Sequence, residues 1–226
     1  MIELINVSKS YTLKGVRKVI LDGLSFRFPP GRNVAIMGKN GSGKSTLMRL
    51  IAGTEQPNSG RIYRSAKVSW PLGFSGGFNG SMTGLENVRF VARIYGQDTE
   101  AVIDYVEEFA ELGPSLKLPI KIYSSGMKAR LAFGLSMAIE FDYYLIDEIT
   151  AVGDENFKRK SQRVFKEKLS NSQIIMISHS ASAIKTYCDC GLFLTDDGVF
   201  FYEDVDHLIA DYKRRWSAPL SRTGGK

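Results

Sequence analysis

Short apolar runs alternate along this chain with segments in which apolar residues recur every three or four positions. Residues 34–37, 143–146 and 174–177 are continuously apolar, as in strands that are covered on both faces. After the first run, Leu47, Leu50 and Ile51 fall at helical spacing, and Gly53 ends that segment. The alternation predicts an α/β fold with a mainly parallel sheet between layers of helices.

The middle of the chain, residues 83–112, has a helical pattern throughout. Thr83 and Glu86 have the spacing of a capping box. Two apolar stripes follow, one ending at Gly96 and the other at Gly113 and Pro114. We therefore expect a helical insertion between two strands of the sheet. Closer to the end, the sequence TDDG separates two apolar segments, 192–194 and 199–202, and predicts a β-hairpin.

Composition narrows the class of protein but does not identify it. The chain has 226 residues, of which 43% are hydrophobic and 24% charged, as in ordinary globular proteins. No apolar run approaches the roughly 20 residues that span a bilayer, and Glu3 interrupts the position of a secretory signal, so we expect a cytosolic chain. Cys188 and Cys190 form one isolated Cys-x-Cys, which favours reduced thiols over a metal site. The net charge of +6 suits phosphate ligands, nucleic acid or an anionic membrane, and does not decide among them.

The strongest chemical motif follows the first apolar run. It is GKNGSGKST, which fits G-x-x-x-x-G-K-[ST] between a strand and a helix and comprises Gly38, Lys39, Asn40, Gly41, Ser42, Gly43, Lys44, Ser45 and Thr46. Its glycines let successive backbone N–H groups point at phosphate oxygens, and the helix N-terminus adds partial positive charge. Lys44 would place a full charge beside the β- and γ-phosphates, and Ser45 would offer a hydroxyl to Mg²⁺. The motif predicts a phosphate-binding ATPase or kinase.

Polar residues also follow the two later apolar runs. Asp147 and Glu148 would stand at the carboxyl end of a parallel strand, where open α/β sheets bind their ligands. We expect Asp147 to hold Mg²⁺ with Ser45, and Glu148 to polarise the attacking water. His179 would end a neighbouring strand and reach the γ-phosphate from another side. The predicted catalytic residues are thus Glu148, His179 and Lys44.

Five motifs in a fixed order carry a family resemblance: the phosphate loop, YSSGM at 123–127, YYLIDE at 143–148, AVGD at 151–154 and SH at 178–179. In this order they resemble the nucleotide-binding subunit of ABC transporters. The resemblance implies a P-loop NTPase fold with a small antiparallel β subdomain and an inserted α-helical subdomain. It also implies one ATP-binding domain over residues 1–205, with the helical insertion at about 76–136, and a C-terminal helix and flexible tail over 206–226.

The same resemblance assigns further roles to individual residues. Tyr11 would stack on adenine. Two copies would pack head to tail, so that each completes the other's nucleotide site with Ser124, Ser125, Gly126 and Asp154. ATP would then hold the homodimer together, and hydrolysis would release it.

Two positions depart from the usual pattern of that family. The signature is normally Leu-Ser-Gly-Gly-Gln, but here Met127 replaces the final glutamine. The family also has a glutamine that contacts Mg²⁺ after a strand, and no glutamine occurs between Gln56 and Gln97. Ser75 could lend a hydroxyl there. We expect the surrounding stretch, residues 69–84, to be either a mobile loop with aromatic anchors or a plain surface loop.

These departures, with LGFSGGFNGSMTGLENV and AVGDENFKRK, look like the polysaccharide-exporting branch of ABC ATPases. Because the chain stops soon after the hairpin, it looks more like the capsular-polysaccharide type. The expected function is ATP-driven export through a separate integral membrane subunit, at the cytoplasmic face of the inner membrane and without a nucleic-acid partner. The alternatives are a soluble ABC ATPase not tied to transport, an ABC ATPase subunit for another substrate, and a small P-loop kinase.

Overall fold

The predicted apolar runs form the centre of a six-stranded sheet. The computed structural model describes residues 1–72, 77–147 and 155–216. The larger sheet contains, in sequence order, β3 (Val34–Gly38), β5 (Val68–Leu72), β6 (Tyr143–Asp147), β7 (Gln173–Ile177), β8 (Cys190–Thr195) and β9 (Gly198–Tyr202). Its spatial order is β5-β6-β7-β3-β8-β9, and every pairing is parallel except the β8–β9 hairpin. The parallel sheet and the hairpin are thus confirmed.

A smaller antiparallel sheet lies beside the first one. It contains β1 (Ile2–Leu13), β2 (Val16–Arg27) and β4 (Ser59–Arg64), with β1 in the centre. Lys14 and Gly15 both have positive φ at the turn between β1 and β2, as a tight two-residue hairpin requires. The small antiparallel sheet implied by the family resemblance is therefore present.

The helices pack on both faces of the large sheet. Their bounds are α1 (Lys44–Ala52), α2 (Gly84–Ile94), α3 (Thr99–Ala110), α4 (Ser125–Ala138), α5 (Glu155–Leu169), α6 (Ala181–Tyr187) and α7 (Val205–Trp216). Helix α1 lies on one face, between the large and the small sheet, and the other helices pack on the opposite face. Helices α2, α3 and α4 lie between β5 and β6 in the chain, as the predicted insertion requires. Over the three described ranges, no helix combines the length and the apolar character that crossing a bilayer would need.

The capping box at the start of α2 is present as predicted. The Glu86 backbone N–H donates to Thr83 Oγ1 at 3.1 Å, and the Thr83 N–H donates to the Glu86 carboxylate at 2.7 Å. These hydrogen bonds from Thr83 lower the pKa of the Glu86 carboxyl. The two reciprocal bonds satisfy donors that would otherwise be left at the helix N-terminus.

The prediction of a loop over residues 69–84 is wrong for residues 69–72, which belong to β5. Ser69 and Trp70 belong to β5, where the Ser69 hydroxyl accepts from the Leu145 N–H at 2.9 Å and is fully buried. The Trp70 ring packs 5.4 Å from the ring of Phe141. Pro71 is tolerated because β5 is an edge strand of the large sheet. Residues 73–76, which include Ser75, and the predicted tail at 217–226 lie outside the described residues.

Candidate active site

The phosphate loop connects β3 to α1 in a conformation that requires glycine. Gly43 has a φ of 100° and forms the N-terminal boundary of α1. A Cβ atom at this position would lie only 2.4 Å from Ile20 Cγ2 of β2. The loop can therefore approach the small sheet this closely only because position 43 lacks a side chain.

Lys44 folds back over the loop that precedes it. Its ammonium donates to the carbonyl oxygens of Gly38 at 2.8 Å and Lys39 at 2.9 Å. The residue is only 8% exposed. Two hydrogen bonds and burial restrict the ammonium to a position above the loop, where the phosphates of a nucleotide would approach.

Most of the predicted site residues line one cavity of about 570 Å³. This volume is in the usual range for small-molecule sites. From the predicted set, the cavity is lined by Tyr11, Asn40, Gly41, Gly43, Lys44, Ser45, Thr46, Asp147 and His179. Residues that are up to 168 positions apart, from Tyr11 to His179, thus share a single cavity.

The register of the parallel strands explains why Asp147 and His179 reach the phosphate loop. Asp147 is paired with Ile177 of β7, and Ile177 is also paired with Ile36 of β3. The carboxyl ends of β6 and β7 are therefore level, and β3 continues two residues further, to Gly38, where the phosphate loop begins. The residue two positions after β7 is His179. Glu148 and Asp154 lie outside the described residues.

Three loop residues predicted to bind the nucleotide do not line this cavity. Gly38 supplies a carbonyl to Lys44, and Lys39 forms a salt bridge with Asp196 of the β8–β9 turn. Ser42 lines a neighbouring groove, and its buried hydroxyl has no hydrogen-bond partner within the described part of the chain. These three residues belong to the loop but lie outside the cavity lining, so their direct contact with a ligand stays a prediction.

Three cavity residues were not identified as site residues from the sequence: Ile177 at the end of β7, and Lys18 and Ile20 of β2. Ile20 packs against the loop at Gly43, and Lys18 Nζ donates to the Gly41 carbonyl at 3.3 Å. Lys18 lies directly opposite Tyr11 in the β1–β2 pairing, so both side chains project from the same face of the sheet. The apolar run at residues 19–21 is typical of a strand but gives no information about which strand it pairs with.

The segment Ser124–Gly126 lies outside the lining of this cavity. Ser124 is the N-terminal cap of α4, and its hydroxyl accepts from the Met127 N–H at 3.2 Å. Ser124 and Ser125 are exposed at the helix N-terminus. The preceding Tyr123 is buried, and its hydroxyl donates to the Ser115 carbonyl at 2.6 Å, which anchors the segment to the short 3-10 helix Gly113–Lys117 of the same helical insertion.

Comparison with known proteins gives concordant matches over most of the chain. The family model described as "ABC transporter" matches residues 21–151. The polysialic acid transport ATP-binding protein KpsT of Escherichia coli is 52% identical over 95% of this chain and 99% of the relative. The capsule polysaccharide export ATP-binding protein CtrD of Neisseria meningitidis is 50% identical over 94% of this chain and 98% of its own length.

Solved structures agree with the fold. The ATP-binding cassette MJ0796 in its dimeric post-hydrolysis state, bound to ADP and Pi, has a TM-score of 0.72 and covers 91% of this chain and 99% of that one, at 20% identity. Another structure, an ATP-binding subunit of an ABC transporter, has a TM-score of 0.69 and covers 96% of this chain and 93% of its own at 22% identity. At these identities the likeness establishes the fold.

Proposed function

Because this chain belongs to the ABC transporter family of ATP-binding proteins, we propose that it is the ATP-hydrolysing motor of a capsular-polysaccharide exporter. The observation that carries the proposal is the single cavity in which Lys44, Asp147 and His179 meet at the carboxyl ends of three parallel strands. The substrate class is supported by relatives about half identical to this chain that are named for polysialic acid transport and capsule polysaccharide export.

ATP binds with its phosphates on the loop and its base towards Tyr11. The N–H groups of the loop and the ammonium of Lys44 surround the phosphates, because both are donors at the N-terminus of α1. Ser45 and Asp147 offer a hydroxyl and a carboxylate in the same cavity, which are the hard oxygen donors that suit Mg²⁺. When bound there, Mg²⁺ would neutralise charge on the phosphate oxygens.

The proposed catalytic groups surround the γ-phosphate. Glu148, directly after Asp147, orients the attacking water and accepts its proton. His179 donates a hydrogen bond towards the γ-phosphate from the end of β7. Lys44 stabilises the charge that is spread over the phosphate oxygens in the transition state.

A second copy of the chain completes the site in trans. The Ser124 hydroxyl already accepts a hydrogen bond from Met127, so its own hydrogen is available to a phosphate oxygen of the partner's nucleotide. The exposed N-terminus of α4 adds the backbone N–H of Gly126 and partial positive charge. We expect Ser125 and Asp154 to contribute to the same interface, and loss of the γ-phosphate to weaken both halves of the contact.

Export requires a separate membrane subunit, which would hold this chain at the cytoplasmic face of the inner membrane. The exposed Phe90 and Ile94 lie one turn apart on α2 and offer an apolar face to that subunit. An ABC ATPase serving another substrate, or acting without a membrane subunit, would share the same cavity, so the substrate class needs its own test.

The test is complementation in a bacterium that has lost its own capsule-export ATP-binding subunit. We expect this chain to restore surface capsule, measured by antibody binding, and Lys44→Ala to fail at equal protein levels. Purified protein should release phosphate from ATP, and Glu148→Gln should bind ATP, hydrolyse it negligibly and form an ATP-dependent dimer by light scattering. ATP hydrolysis with no capsule from the unmodified chain would contradict the substrate class and leave the ATPase assignment standing.

A further inference from the structure

The hydroxyl of Tyr11 lies at the centre of a network of polar side chains at the base end of the cavity. It donates to Glu55 Oε1 at 2.6 Å and accepts from Arg49 Nη2 at 3.2 Å. Thr46 Oγ1 of the phosphate loop lies 3.4 Å from the same hydroxyl and accepts from Arg49 at 3.2 Å. The ring of Tyr11 is therefore tied by its outer end to the phosphate loop and to α1.

Glu55 holds this network together. Its carboxylate pairs with Lys9 at 2.8 Å and with Arg49 at 3.0 Å, besides accepting from Tyr11. The Glu55 side chain is 18% exposed and that of Lys9 only 11%. Burial by itself would raise the pKa of the Glu55 carboxyl, but the hydrogen bonds from Lys9, Tyr11 and Arg49 lower it to about 2. Glu55 is therefore ionised, and three donors share its two oxygens.

The backbone places Glu55 at a fixed distance from the loop. Glu55 follows the C-terminus of α1, where the N–H groups of Thr54 and Glu55 donate to the Arg49 carbonyl. Since α1 begins at Lys44, one short helix connects the phosphate loop to the carboxylate that holds Tyr11. Lys9 Nζ lies over the Tyr11 ring, 5.2 Å from its centroid, and the ring also lines the cavity.

From this arrangement we infer that Glu55 is a positioning residue for nucleotide binding, which fixes the Tyr11 ring as the platform for the base. The inference rests on the proposed function, because it takes the cavity to be the ATP site. A ring fixed before binding loses little conformational entropy when the base stacks on it, so the interaction retains more of its free energy. Glu55 itself contacts no part of the nucleotide.

The experiment compares two ligands that differ in whether they possess a base. AMP-PNP, a non-hydrolysable ATP analogue, has phosphates and a base, whereas inorganic tripolyphosphate has phosphates alone. Isothermal titration calorimetry would measure the dissociation constant of each for the parent chain, Glu55→Gln, Tyr11→Phe and the double variant. Glu107→Gln on the exposed side of α3 and Tyr63→Phe on β4 are matched controls, since both change the same groups outside the network.

We expect Glu55→Gln and Tyr11→Phe each to raise the dissociation constant of AMP-PNP by about fivefold to tenfold, because a ring that is no longer fixed must be ordered when the base binds. The double variant should not exceed the larger single effect by more than about twofold, because both substitutions break the same link. Tripolyphosphate affinity should be unchanged. In steady-state ATP hydrolysis, KM should rise while kcat is retained.

Three results would overturn the inference. They are unchanged AMP-PNP affinity in Glu55→Gln, multiplicative effects in the double variant, and a parallel loss of tripolyphosphate affinity, which would indicate general damage to the loop. If the parent chain binds neither ligand, the proposed ATP site itself is wrong, and the inference falls with it. A parent that binds both ligands separates failure of the inference from failure of the proposed function.

Discussion

Replacing Lys160 by an uncharged residue should destabilise the protein more than the same replacement at any other lysine of α5. Lys160 Nζ donates to the carbonyls of Glu108 at 3.1 Å and Phe109 at 3.2 Å, and pairs with Glu111 at 2.7 Å. It therefore places a positive charge at the C-terminus of α3, where the carbonyls lack helical partners.

The magnitude follows from these contacts. Hydrogen bonds to a charged group contribute about 1.5–3 kcal/mol, while a pair with the half-exposed Glu111 adds at most about 1 kcal/mol. Because the Lys160 side chain is 27% exposed and water replaces part of the loss, we expect Lys160→Met to cost about 2 kcal/mol. Methionine keeps an apolar stem of similar length but removes the contact between the ammonium and the Phe109 ring, whose centroid lies 5.0 Å from Nζ, so this loss is part of the expected cost.

The assay is thermal unfolding followed by circular dichroism, with Lys166→Met as the control on the exposed side of α5. A loss of about 2 kcal/mol should lower Tm by about 4–8 °C in a chain of this size, whereas Lys166→Met should change stability by less than about 0.5 kcal/mol. Equal Tm values for the two variants would refute the reasoning that Lys160 caps α3.

Three further outcomes are expected. Gly43→Ala should abolish nucleotide binding in calorimetry, because the new Cβ would lie 2.4 Å from Ile20 Cγ2 and the backbone φ at this position is 100°. Adding Ile20→Ala to the same chain removes the clash but not the backbone strain, so it should restore only part of the affinity. In the folded protein the pKa of the Glu55 carboxyl is lowered from 4.5 to about 2, so its contribution to stability is lost as the pH falls through that range. Glu55→Gln should therefore show a smaller decrease in the free energy of unfolding between about pH 4.5 and pH 2, measured by urea unfolding. Cys188 and Cys190 should react with a thiol reagent only after unfolding, since burial raises the pKa of both thiols, that of Cys190 to about 11; rapid labelling of native protein would contradict this.

The elements nearest to the phosphate chemistry could be predicted from the sequence because their residue types are dictated locally. A loop that wraps phosphate needs glycine at Gly43 and a cation at Lys44, and its strand must be apolar when both faces are covered. The capping box of Thr83 and Glu86 is equally local, since its donors and acceptors lie three residues apart. Such features depend little on the remainder of the chain.

The elements that were missed depend on partners distant in sequence. Strand β5 begins with Val68 and Ser69 and contains Pro71, which breaks the apolar pattern, and only its pairing with β6 makes it a strand. Likewise, Lys18 reaches the phosphate loop because β2 folds back along β1, and Glu55 reaches Tyr11 across 44 positions. No spacing rule within one segment contains that information.

The position of the phosphate loop along the strand direction is set by two hydrophobic cores, which pack on opposite faces of β3. Val34 and Ile36 pack in the core that contains α1 and the small sheet, whereas Ala35 and Met37 pack in the core formed with the helical insertion. A shift of one residue would exchange these two sets of side chains, so the register of β3 is strongly specified. Because β7 and β6 are paired in series with β3, the same constraint fixes Asp147 relative to the loop. The site is therefore positioned by the register of the sheet, and a substitution that overfills either core should displace Lys44 and Asp147 without touching either residue.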